Sequence, residues 1–453
     1  MTENATQTID SAHFTGPVFT PGDAGYAEEI AGFQTAYTHR PALVVGAVHA
    51  EDVRAAVEYA ARRGLPVAVQ ATGHGLSVAA DRGVLITTGR MDAITVDPQA
   101  RTARIGAGVR AGALVEAAAR HGLAPLNGSS PSVGVVGYVL GGGLGLLARE
   151  FGYAADHVRS LDLVTADGRM RTLTPADELF GAVLGSGGNF GVVTGLELGL
   201  VPVAEVYGGQ LIFDTPLVDT ALDTWREWTA TLPDTLTSTV AVVTFPDIEP
   251  VPEPLRGRHV ASIRIAFRGA AEEGERLVAP LRAIGERLRG DLRTMPYTAS
   301  HTIHSDPDFP HAYAATNALL AELTADGLAA LRAMTAPGGP VEAVVDIRHL
   351  GGALRGGSGV AVDHREAEYV VRVITAAGAG DAAPAGLAVV REALAPWTIG
   401  HSLNFLYGAG AAAGAAQTEA GYAPRTYARL VAAKAKYDPH NMFRFNRNIA
   451  PAV

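Results

Sequence analysis

The amino-acid sequence predicts an α+β chain of two units with a docked C-terminal tail. Three observations carry that prediction. Residues 41–69 run through a β-rich stretch, an amphipathic helix and a second apolar stretch, which is a β-α-β unit. From Ala204 onward longer strands alternate with helical stretches, the pattern of a largely antiparallel sheet backed by helices. The closing run KYDPHNMFRFNRNIAP is dense in aromatics and Asn, which suits a tail docked on the body better than one that frays.

Length and composition bound the answer. At 453 residues the chain can hold two or three domains with sizeable cores. A net charge of -10 argues against nucleic acid or an anionic membrane surface as partner. The chain has no cysteine, which excludes disulfides, thiolate zinc sites, iron–sulfur clusters and cysteine nucleophiles. The start, MTENATQTIDSAHFTG, lacks a basic and an apolar signal region, and no apolar run reaches transmembrane length. The expectation is a cytoplasmic protein.

Taken in order, Pro41–Val48 reads as a strand. Glu51–Arg63 reads as a helix, with Val53, Ala56, Val57 and Ala60 on one face, acids in its first turn and Gly64 as its stop. Val67–Val69 is a strand breaking into a loop. Short strands follow at Val84–Thr87, Ala93–Asp97 and Thr102–Ile105, then a helix at Ala111–Arg120 closed by Gly122. Val158–Thr165 and Arg169–Leu173 are strands joined by a turn, and Pro175–Leu184 is a helix. In the second unit, strands are expected at Gly208–Phe213, Ser238–Val243, His259–Phe267, Pro340–Leu350 and Ala367–Ile374. Helices are expected at Leu217–Thr231, Ala271–Arg289 and Ala382–Leu394, with Pro246–Arg258 as a proline-broken loop. His401–Tyr407 reads as a strand before a helix at Pro424–Lys436.

Three glycine-rich stretches stand out. VAVQATGHGLS (Val67–Ser77) sets His74 between two glycines at the end of a strand. Consecutive N–H groups in such a loop can form a nest for an anion such as a pyrophosphate, although a turn histidine without function is the commoner case. NGSSPSVGVVGYVLGGGLG (Asn127–Gly145) interleaves glycine with apolar residues, as in a segment buried against something flat or extended; a tight helix–strand crossing would look alike. GSGGNFGVVTGLELGLVPV (Gly185–Val203) crowds glycines at a third strand start. A doubly wound dinucleotide fold would put its glycine motif at the first strand and an acid on the second, and that arrangement is absent.

With GSGGNFGVVTGLEL, the DHR at Asp363–Arg365 and YDPHNMFRFNRNI added, these motifs span nearly the whole chain. They resemble the berberine-bridge-enzyme-like branch of the vanillyl-alcohol-oxidase (PCMH-type) flavoproteins. The resemblance implies a two-domain PCMH-type FAD-binding fold with an antiparallel-sheet substrate domain backed by helices. Residues 1–205 would hold FAD (core about 37–203), 206–399 the substrate, and 400–453 would return to the FAD domain. It implies a bond between His74 and the flavin 8-methyl group. Many relatives add a cysteine link where Ser130 stands, so attachment through His74 alone is expected. In the first loop the cofactor residues implied are Gln70, Ala71, Thr72, Gly73, His74, Gly75 and Ser77. The second loop adds Gly128, Ser129, Ser130, Val133, Gly134, Gly137, Tyr138, Gly141, Gly142, Gly143 and Gly145. Asn189, Gly191, Val192, Val193, Asn404 and Asn446 complete the set. Gln70 and Thr72 replace residues common in relatives, and Tyr138 stands where a flavin-side histidine is frequent, its phenol within reach of a ribityl chain.

The activity implied is oxidation of a small organic substrate by hydride transfer to flavin N5, with O2 as acceptor and possible assembly as a homodimer. A non-redox cyclase or isomerase that keeps FAD as scaffold is the alternative, ahead of a pure binding protein. Substrate-side candidates are His301, His304, His311, Tyr313, His349 and Tyr407; a metal cluster of His301, His304 and Asp306 has loose spacing and no other support. Relatives carry a tyrosine two residues before the asparagine matching Asn404, and here that position is Ser402, a poor base. Either the substrate is an amine that loses hydride unaided, or Tyr407, His401 or Tyr138, in that order, takes the role. Strand alternation would put Leu403, Phe405 and Tyr407 on one face and Ser402, Asn404 and Leu406 on the other, so Tyr407 would need a bulge or a turn, which Gly408 permits, to reach the pocket.

Overall fold

The computed structural model describes residues 13–357, 359–378, 382–407 and 414–452; Gly408 lies outside them. The β-α-β unit forms as read. Strands Leu43–Gly46 and Val67–Gln70 both pair in parallel with Val84–Thr87, and Val18–Phe19 completes a four-stranded sheet. The connecting helix, Ala50–Arg63, buries Val53, Ala56, Val57 and Ala60 and ends where Gly64 takes φ 64°. A five-stranded antiparallel sheet follows, in the order Ile94–Asp97, Thr102–Gly106, Val192–Gly199, Val158–Val164, Met170–Leu173.

The rest of the chain is organised by a nine-stranded sheet. Its centre runs Glu205–Phe213, His259–Phe267, Leu236–Thr244, Val344–His349, Tyr369–Ala376, Tyr313–Leu320, Thr398–Gly400, all antiparallel. Side chains alternate across it. Ile263, Ile265, Val345, Ile347, Val371 and Val373 pack with Trp225 and Leu387, from helices Val218–Thr229 and Ala382–Leu394, in one apolar cluster. The intervening residues therefore face the other way, toward the first 200 residues.

The C-terminal run packs on the first unit. Leu430, Ala433, Phe443 and Ile449 share one apolar cluster with residues from Leu43 to Val206. Lys434 and Asp438, both 0% exposed, form an ion pair at 2.8 Å, and Lys434 Nζ also donates to the carbonyls of Asn189 (2.7 Å) and Phe443 (2.9 Å).

Several expectations need correction. His401–Tyr407 is not a strand: the strand ends at Gly400, and Leu403–Phe405 is a turn of 3-10 helix. The predicted helix Ala271–Arg289 stops at Arg282, and Pro175–Leu184 is helical only over Glu178–Val183. The second glycine-rich stretch contains a short helix, Val135–Leu140. Strand Tyr313–Leu320 and helix Ala325–Thr335 were not anticipated, because neither shows a clean hydrophobic period.

Candidate functional site

Where the three glycine-rich stretches meet the large sheet, they enclose a cavity of about 490 Å³. Its first wall is the histidine loop, residues Val67–Ser77. Gly73 has φ +71°, and a Cβ there would come within 2.7 Å of Gly32 Cα, so this turn needs glycine. Phe33 N–H donates to Thr72 O (3.0 Å) and Gln34 N–H to Gly73 O (3.1 Å), pinning the loop from behind. The His74 ring stacks on Phe33 with centroids 3.9 Å apart. Its Nδ1 lies 2.9 Å from Thr72 Oγ1 and its Nε2 3.0 Å from Ser132 Oγ. Burial, with Arg110 and His311 nearby, pushes the His74 pKa down to about 4, so the imidazole is neutral at physiological pH.

The second wall comes from Gly128, Ser129, Ser130, Val133, Gly134, Gly137, Tyr138 and Gly141, and the third from Gly187, Gly188, Gly191, Val192 and Val193. Gly142, Gly143, Gly145 and Asn189 do not line the cavity. After Gly141 this stretch meets the cavity again only at Leu144, and Asn189 is 0% exposed. Its amide donates to Ser186 and Arg447 carbonyls and its Oδ1 accepts from Ile449 N–H, so it fastens the C-terminal run. Tyr138 lines the cavity with its hydroxyl proton already committed. Its phenol donates to Leu126 O (3.0 Å), which leaves that proton unavailable to a ligand. Asn404 donates to Tyr138 O (2.9 Å), and its Oδ1 fills the space a Gly141 side chain would need.

Leu403, Asn404, Phe405 and Tyr407 all line the cavity. The predicted alternation fails because Leu403–Phe405 is a 3-10 turn, not a strand, and it is this turn rather than a bulge that precedes Tyr407 on the cavity wall. His401 points elsewhere: its Nδ1 lies 2.6 Å from Asn317 O, and it borders a separate cavity with Thr316 and Arg391. It is removed as a catalytic candidate. Of the other candidates, His311 and Tyr313 line the main cavity, and the Tyr313 hydroxyl donates to His74 O (2.6 Å). Tyr313 also meets Tyr407 edge-on at 5.2 Å. His301 is exposed beside Thr298 O, and His304 and His349 border a smaller space. Among the described residues no three His, Cys, Asp or Glu side chains group as a metal site.

Sequence reading missed Phe33, Asp306, Arg348 and Arg372 as parts of the cavity wall. Arg372 had a signal: it is the one charged residue in its strand, Tyr369–Ala376.

His349 accepts from Arg149 Nη1 (2.9 Å), and burial, then Arg149, pushes its pKa down to about 3. Burial likewise lowers His39, His74 and His401. A histidine whose folded pKa lies below the unfolded value of about 6.5 contributes stability that is complete above that value and lost as pH falls below it. Melting temperature should therefore drop between about pH 6.5 and pH 5, above most of the carboxylate titration, and His349→Gln should flatten that slope. A melting temperature that is constant over this range contradicts the assignment.

The geometry fits a flavin dinucleotide. Gly75, Gly137, Gly187 and Gly188 present backbone with open space where side chains would stand. Asn446 lines the cavity with a buried Oδ1 that has no partner among the described residues. Residues 41–174 match the family described as "FAD binding domain", and residues 418–450 match "Berberine and berberine like". The chain is 29% identical to (R)-6-hydroxynicotine oxidase of Paenarthrobacter nicotinovorans, over 96% of this chain and 97% of that one. The structure of 6-hydroxy-D-nicotine oxidase from Arthrobacter nicotinovorans superposes with a TM-score of 0.82 at 27% identity, covering 97% and 98% of the two chains. A chitooligosaccharide oxidase shares the fold with a TM-score of 0.82 at 21% identity, covering 97% of this chain and 98% of that one.

Proposed function

We propose that this chain, a berberine-bridge-enzyme-like FAD-linked oxidoreductase, is an oxidase that takes a hydride from a small organic molecule and uses O2 as electron acceptor. The observation that carries this reading is that His74, Tyr407 and all three glycine-rich stretches open into one cavity. Bound FAD supplies the acceptance of hydride and the return of electrons to O2. The relatives' own names, a hydroxynicotine oxidase and a chitooligosaccharide oxidase, support a small organic substrate.

In this reading His74 is the point of covalent attachment. Its neutral imidazole has the lone pair such a bond requires, and the chain has no cysteine for a second link. The backbone N–H groups of the histidine loop hold the pyrophosphate, and Asn446 uses its free carbonyl on the cofactor. Residues 1–205 with 400–453 act as the flavin-holding unit, a division supported by their shared apolar cluster, while 206–399 supply the substrate side.

Tyr407 is the substrate-side group. Burial raises its phenol pKa and Arg372 opposes that rise, so at neutral pH it is a protonated hydrogen-bonding group beside the substrate. Anaerobic titration of the purified protein with a panel of amines, alcohols and sugars should bleach the flavin band with at least one compound, and air should restore it. In rapid mixing, Tyr407→Phe should slow that reduction by at least about tenfold. If no compound class bleaches the band, a non-redox use of FAD becomes the better reading; an unchanged rate in Tyr407→Phe removes that phenol from the mechanism.

A further inference from the structure

The sheet side of the cavity carries more positive charge than its own carboxylates neutralise. Arg264, Arg348 and Arg372 sit on three strands at positions that alternate with Ile263, Ile347 and Val371 of the helix-side core. Register gathers them: Arg372 lies opposite Asp346, while Arg264 and Arg348 both lie opposite Thr239. Asp346, 1% exposed, accepts from Arg372 (2.8 Å) and Arg348 (3.2 Å) through the same oxygen. Asp306 accepts from Ser129 and lies in the field of Arg264 and Arg372.

Three guanidiniums thus share two carboxylates. His304 adds no charge, because burial and Arg264 keep it neutral. Tyr407 is not the missing anion either, since its phenol stays protonated. The Nε groups of all three arginines are buried without a partner among the described residues, and Arg348 is only 7% exposed. A buried guanidinium with unused donors is costly unless an anion completes it. Of the three, Arg348 and Arg372 line the main cavity, each with its guanidinium carbon about 5 Å from the Phe405 ring.

We propose that Arg348 and Arg372 form a carboxylate-binding subsite, so that the molecule oxidised in this cavity is an organic acid whose carboxylate balances the surplus charge. The fork geometry of a guanidinium matches a planar carboxylate, and a surplus of one charge matches a monoanion. The proposal rests on the oxidase reading for the reaction, but the subsite itself can be tested apart from turnover.

The test uses matched pairs: benzoate and benzamide, phenylacetate and phenylacetamide, nicotinate and nicotinamide. Each is titrated into the purified holoenzyme while the flavin absorption band is followed, with calorimetry in parallel. At least one acid should bind about tenfold or more tighter than its amide, and Arg372→Met should erase that preference with wild-type flavin content. Arg372→Lys keeps the charge beside Asp346, guarding against misfolding, and should weaken the preference without abolishing it. Amides that bind as well as their acids throughout, or a preference untouched in both Arg372 variants, overturn the subsite. A wild-type protein without flavin would instead overturn the oxidase reading, and calorimetry on the same pairs would still decide the anion preference.

Discussion

His74→Ala should release all of its flavin on denaturation, whereas the wild-type protein should keep its yellow chromophore and fluoresce on an acid-treated gel. The expectation follows from the loop. Gly73 lets the backbone turn close against Gly32, Phe33 stacks on the imidazole and Tyr313 holds the His74 carbonyl, so the ring is fixed before any cofactor arrives. The pKa of about 4 keeps it unprotonated through the range in which the cell would assemble the holoenzyme. An ordinary histidine would be roughly half protonated at pH 6.5 and correspondingly less nucleophilic. Because the chain has no cysteine, no second bond should rescue the variant. A wild-type flavin that washes out with acid would disprove covalent attachment while leaving FAD binding in place.

Asp438→Ala should cost about 3–5 kcal/mol, because it strands the charge of Lys434 in a fully buried site. The loss extends beyond the ion pair. Asp438 also accepts from the backbone N–H groups of Met442 (2.7 Å) and Phe443 (2.9 Å), which would be left unpaired. Those residues begin the run that carries Asn446 to the cavity and Arg447 to Leu406 O, next to Tyr407. Flavin content should therefore fall together with the denaturation midpoint. Lys434→Met should cost less, since Asp438 would keep its two backbone partners. The reverse order of the two variants would show that the carboxylate is not the organising group.

Much of the fold was legible because its signals are local. The β-α-β unit showed in helical spacing between two apolar runs, and the large sheet in longer strands after Ala204. The glycine-rich stretches were legible as a group, since close approach of backbone leaves its mark in composition. What failed was also local in cause. The stretch His401–Tyr407 has strand-like composition, but Asn317 clamps it from the neighbouring strand: its Nδ2 donates to Ser402 O and its Oδ1 accepts from Ser402 N–H. The chain then bends into a 3-10 turn, and the face on which each residue lies changes with it.

Residue type and spacing marked out a histidine between glycines, a serine in place of cysteine and a tyrosine near the C-terminal asparagine. Which of them share a cavity depends on how distant segments pack. Tyr407 and Arg372 come from different elements, and Asp346 meets both Arg348 and Arg372 only through the register of two antiparallel strands. Register depends on pairing across the whole sheet, and a slip of one residue would move every side chain of a strand to the other face. Asn189 and His401 made the same point in reverse. Their residue types suited the chemistry, but the hydrogen bonds that satisfy them, to Arg447, Ile449 and Asn317, come from segments far away in the chain. Such partners leave no trace in local pattern, because burial and pairing at a distance are properties of the assembled chain.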